Sequence, residues 1–125
     1  MVTLEPIIGV DNVRQSAIWY EKLLSLKPTH GGDAFEILKN TAGDTVLCLH
    51  KWGEHDHPTL TNPKPVAGNG LILYFKVAQV DAIYEKAMAL KASIKITLHQ
   101  NPNSHLREFS LEDPDGYYLT ISSTE

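Results

Sequence analysis

A single cysteine, Cys48, excludes an intrachain disulfide. It sits in the apolar run 46–49, which predicts a buried thiol acting as a small hydrophobe. Lysine and arginine never cluster, and the net charge is -4, so no nucleic-acid partner is expected. No apolar run approaches the roughly 20 residues of a membrane-spanning helix. The opening MVTLEPIIGV lacks a basic segment ahead of an apolar core. No membrane partner and a cytoplasmic location are therefore expected. No Ser/His/Asp or Cys/His arrangement and no phosphate-binding glycine loop can be read along the chain. What remains is 125 residues, 42% hydrophobic and 21% charged, the makeup of one ordinary globular domain.

Residues 108–122, EFSLEDPDGYYLTIS, carry the clearest local signal. Phe109 and Leu111 alternate with polar residues before the turn, and Leu119 and Ile121 after it, the period of a sheet with one buried face. Asp113-Pro114-Asp115-Gly116 supplies the turn, since Pro114 fixes φ and Gly116 tolerates φ > 0.

Earlier in the chain, residues 4–10 read as a strand. Asn12 is a helix N-cap, with Gln15 completing a capping box. Val13, Ala17, Tyr20 and Leu24 share one helical face, and Pro28 helps to end the helix. Strands are expected over 35–39 and 45–50. Residues 53–70, rich in proline and glycine, read as a linker between halves 1–52 and 71–125. In the second half, 71–77 alternates as a strand, Val80, Ile83, Tyr84, Ala87 and Leu90 form a helical face, and 94–98 is a short strand before a polar loop. The halves share this order, and YEKLLSLK (20–27) matches YEKAMALK (84–91) at five of eight positions. A duplicated βαβββ unit explains both facts.

A duplicated βαβββ unit closing on Glu112-Asp113-Pro114-Asp115-Gly116-Tyr117, with Val10-Asp11-Asn12 leading into Ser16-Ala17-Ile18-Trp19-Tyr20, resembles the vicinal oxygen chelate superfamily: glyoxalase I, bleomycin-resistance proteins and extradiol dioxygenases. The resemblance covers nearly the whole chain. It implies an α+β fold in which two βαβββ repeats make a cupped mixed sheet, commonly in a homodimer. It also implies four metal ligands on the inner face, which fall here on Glu5, on Leu47 (or Cys48 if the register slips by one), on Ile72 and on Thr120. Only Glu5 is a good hard-metal ligand, so the expectation is no metal and no other cofactor.

Alternation then assigns the residues facing the cup: Glu5, Ile7, Ile72, Tyr74, Glu108, Ser110, Tyr118 and Thr120, with His50 and Trp52 at its rim. Such a lining suits a small, partly aromatic or amine-bearing molecule. Residues 50–57, HKWGEHDH, hold three histidines and two acids that could bind a metal or exchange protons, although residues that leave a strand for a loop are usually solvated; His50 and His57 stand out. The expected role is binding a small organic molecule without the family's metal. The alternative is a lyase, isomerase or dioxygenase using one divalent metal ion on Glu5, His50 and His57, or metal-free chemistry drawing on Glu5, His50 or Glu108.

Overall fold

In the computed structural model, which describes residues 2–61 and 68–124, the chain divides after Pro65 into two compact units. This division falls inside the expected linker. Pro63 and Pro65 of that linker lie outside the described residues.

The first unit runs β1 (Ile7–Val10), α1 (Val13–Leu24), β2 (Lys27–Pro28), β3 (Phe35–Lys39) and β4 (Thr45–Lys51), then a 3₁₀ turn at Pro58–Leu60. The Asn12 side chain accepts the Gln15 N–H at 3.0 Å, the expected cap. The helix ends well before Pro28. Ser25 takes a left-handed φ of 58° and returns its N–H to Glu21 O, closing the last turn. Pro28 instead lies in the two-residue edge strand β2, where a missing N–H costs no ladder bond. β1 is shorter than expected because its pairing begins only at Ile7.

The sheet order is β1-β4-β3-β2, with β1 parallel to β4 and the other pairs antiparallel. Partners in register share a face. Ile8, Val10, Leu38, Leu47 and Leu49 are buried beside the helix residues Val13, Ala17, Tyr20 and Leu23.

The second unit repeats the plan: β5 (Leu73–Val77), α2 (Val80–Ala89), β6 (Ser93–Gln100), β7 (Arg107–Glu112) and β8 (Tyr118–Ser123), in the order β5-β8-β7-β6. Leu71 and Ile72 precede the strand rather than joining it, since the Leu71 N–H closes a turn onto Gly68 O at 3.0 Å. β6 runs on through His99, which pairs with Glu108 and so belongs to a strand rather than to the polar loop.

Leu73, Phe109, Leu111, Leu119 and Ile121 are buried, and the Tyr84 ring meets Phe109 edge-on at 4.9 Å. At the closing turn, Asp113 Oδ1 accepts the N–H groups of Asp115 and Tyr117, both at 2.9 Å, and Gly116 has φ 92°. Among the described residues, no helix is long and apolar enough to cross a membrane.

Candidate functional site

Each sheet has a helix face and an opposite, open face, and strand register decides which side chains share the open one: Ile7, Tyr74 and Ile96 are exposed there, while Cys48, His50, Glu108, Ser110 and Thr120 are buried. In the first unit Ile7 pairs with Cys48, Gly9 with His50, and Phe35 with His50. Period-2 alternation adds Glu5 to this set. The register puts Cys48 and Leu47 on opposite faces. Cys48 lies with Ile7, whereas Leu47 is fully buried with the helix-side core.

Trp52 continues the same row, and its indole lies against Gly9. A Cβ at Gly9 would come within 2.7 Å of the Trp52 ring. The Trp52 Nε1–H is buried and meets no acceptor among the described residues.

In the second unit Tyr74 pairs with Thr120, Ser110 with Thr120, Ile96 with Ser110, and Glu112 with Tyr118. The hydroxyls of Ser110 and Thr120 meet at 2.9 Å and are buried. Glu108, also buried, accepts the Asn101 side-chain N–H through Oε1 at 2.8 Å. Lys76 places its ammonium 5.2 Å from the Tyr74 ring centre.

These positions test whether the residues fit a metal of the kind the resemblance implies. Glu5 offers a carboxylate. Burial, and then the charges of Glu5 and Glu36, push the Cys48 thiol up, and its sulfur is a soft donor rather than a hard one. Ile72 has no donor, and the Thr120 hydroxyl is committed to Ser110. One hard donor does not make such a site.

A different group of donors forms at the end of β4. His50, His55 and His57 bring one ligand atom each to within 4.8 Å of one another. His55, not Glu5, completes this trio. His50 is buried, and its Nδ1 lies 2.9 Å from Lys51 O. Because a carbonyl only accepts, Nδ1 carries the proton and Nε2 is left with a lone pair, which faces His55 Nδ1 at 3.1 Å. The sequence points to His50 and His57 ahead of His55. Its left-handed backbone, φ 62°, turns it back toward the strand, and no local pattern announces that.

Glu36 is another residue that periodicity did not pick out. Burial pushes its carboxyl up, but backbone N–H groups of His30, Ile37, Gly31 and Thr29 more than reverse this and hold it below the usual range. Its Oε1 accepts from His30 at 2.7 Å and Ile37 at 2.9 Å, and its Oε2 from Gly31 at 3.0 Å. It lies beside a cavity of about 280 Å³ next to Arg14, Ala17 and Ile18 of α1. With its oxygens spent on backbone, Glu36 builds the β2–β3 connection rather than offering a charge to a ligand.

Among known proteins, the model of the Glyoxalase/Bleomycin resistance protein/Dioxygenase superfamily matches residues 3–121. No curated protein matches the chain by sequence. Three similar solved structures share the fold. A protein of unknown function from Agrobacterium tumefaciens is 23% identical with a TM-score of 0.80, the match covering 100% of this chain and 95% of that one. A glyoxalase/bleomycin resistance protein/dioxygenase family enzyme from Burkholderia phytofirmans is 16% identical with a TM-score of 0.80, covering 97% of each. A lactoylglutathione lyase from Agrobacterium tumefaciens is 17% identical with a TM-score of 0.73, covering 98% of this chain and 93% of that one.

Proposed function

Since the chain belongs to the glyoxalase/bleomycin resistance protein/dioxygenase superfamily, we propose that it binds a small organic molecule against its open sheet faces, as a homodimer and without the family's four-ligand metal. One observation carries this reading: large apolar side chains stay exposed on or beside the open-face rows. Ile7 is 52% exposed, Ile72 59%, Tyr74 48% and Ile96 47%, while Ile8, Leu38, Leu47, Leu49, Phe109, Leu111, Leu119 and Ile121 are buried on the helix side. Exposed apolar surface of this kind is worth roughly 25 cal/mol per Å² when covered, which favours an occupant.

The polar groups nearby are few, as in binding pockets generally. Glu5 and Glu108 favour an amine, the unpaired Trp52 N–H favours an acceptor, and Tyr74 offers a ring. Lys76 already sits over that ring, so a cationic ligand must displace it while an aromatic one need not.

A thermal-shift screen of aromatic and amine-bearing compounds tests the reading. We expect hits whose stabilisation is lost in Tyr74→Ala or Glu108→Gln. Sedimentation is expected at twice the chain mass of 13.9 kDa. A screen without hits at millimolar concentration overturns the ligand reading. Stoichiometric divalent metal that disappears in Glu5→Gln overturns the claim that the four-ligand metal is not used.

A further inference from the structure

We propose that His50, His55 and His57 form a transition-metal site, separate from the four positions used by the metal enzymes of the superfamily, which holds a zinc-like divalent ion through three imidazole nitrogens. His50 anchors the trio. It is 3% exposed, yet its Nε2 lone pair points out of the sheet at another ring nitrogen. Its Nδ1–H is anchored on the Lys51 carbonyl, the kind of backbone contact that fixes the tautomer and orientation of a metal-bound histidine.

His55 and His57 are exposed but not free to wander. The Gly53 N–H bonds Leu60 O at 2.6 Å and the Leu60 N–H bonds His57 O at 3.0 Å, so the loop is closed on itself with Leu60 buried. His57 precedes Pro58, which holds it extended at φ -80°, ψ 123°. His55 and Asp56 both adopt left-handed backbone, φ 62° and 55°. Two adjacent residues in that sparsely populated region are strained, and the conformation turns the His55 imidazole back toward His50.

Distances fit. Tetrahedral zinc with Zn–N near 2.0–2.1 Å separates its nitrogens by roughly 3.3 Å. His50 Nε2 and His55 Nδ1 are 3.1 Å apart, and the widest gap in the trio is within 4.8 Å. Closing it needs a shift of at most roughly 1.5 Å in an exposed side chain. When the metal takes the place of the proton between His50 and His55, His55 carries that proton on Nε2 instead.

Three neutral nitrogens suit zinc, cobalt, nickel or copper(II) better than magnesium or calcium. They also leave a fourth position open. A hollow of about 200 Å³ lined by Gly53, Asp56, His57, Leu60 and Thr61 borders the trio at His57.

The test is calorimetric titration of tag-free, metal-stripped protein with Zn²⁺, alongside the visible spectrum with Co²⁺. We expect one ion per chain and the intense visible bands of four-coordinate cobalt. His55→Ala and His57→Ala, which leave the core intact, should each weaken binding by at least about tenfold, because losing a ligand costs no less than losing a second-shell partner (~10–100-fold). Glu5→Gln should leave binding unchanged, which separates this site from the superfamily's four-ligand metal and from the small-molecule reading. No binding at 100 µM metal, or binding indifferent to both histidine substitutions, overturns the proposal.

Discussion

Glu36 shows how much one side chain can decide. A carboxylate in the buried row of β3 would oppose folding if it were unpaired, yet its bonds to the His30, Gly31 and Ile37 N–H groups make it a clasp for the 30–37 turn. The sign of its pH effect follows from its lowered pKa. A carboxyl held below its unfolded value stabilises the fold above that value, and the contribution is lost as pH falls through the folded one. Glu36→Gln should therefore cost about 1.5–3 kcal/mol at pH 7, the range for hydrogen bonds to a charged group. The gap to wild type should narrow as both proteins are acidified. Urea melts at neutral pH and below pH 4 check this, and a gap that widens in acid refutes the clasp. The sequence shows a strand at 35–39, but not that its second residue would be capped from a preceding loop.

At the scale of elements, the junction of β4 with the loop after it is the feature to explain. Trp52 lies on Gly9 of the neighbouring parallel strand, 43 positions earlier in the chain. Only a residue without Cβ leaves room for the indole. Gly9→Ala should destabilise by about 1–3 kcal/mol, the usual range for overpacking. In a Trp52→Ala background the same substitution should cost much less, since the clash is gone and contacting residues are non-additive. Urea melts of the four proteins give the coupling directly; equal costs in both backgrounds would show that the indole does not press on Gly9. This contact was beyond sequence reading because Gly9 looked like the end of a strand and Trp52 like the start of a loop. The alternation in 71–77 and 108–122, by contrast, was legible, although Leu71 and Ile72 fall outside β5. A period of two fixes faces without knowledge of the partner strand. That is why Phe109, Leu111, Leu119 and Ile121 were assigned to the core, where they are. His55 was not legible because loop backbone, not periodicity, aims it.

At the scale of the whole molecule, the duplication that was visible as YEKLLSLK and YEKAMALK is a duplication of sheet order as well. In each unit the last strand lies inside the sheet, bonded on both sides: β4 between β1 and β3, β8 between β5 and β7. Every N–H of an inner strand has a partner, whereas an edge strand leaves alternate ones to solvent. Burial follows the same rank, with residues 47–50 and 119–123 buried while β2 and most of β6 are not. Amide hydrogen exchange should therefore find its slowest amides in two places at once, β4 and β8, with β2 and the loop 53–61 exchanging much faster. The repeat makes this a paired expectation. If the slowest class falls in one unit alone, the two copies have diverged in stability even though they kept a common topology. If β6 exchanges as slowly as β8, something covers the β6 edge in solution, as a second chain in the proposed homodimer would.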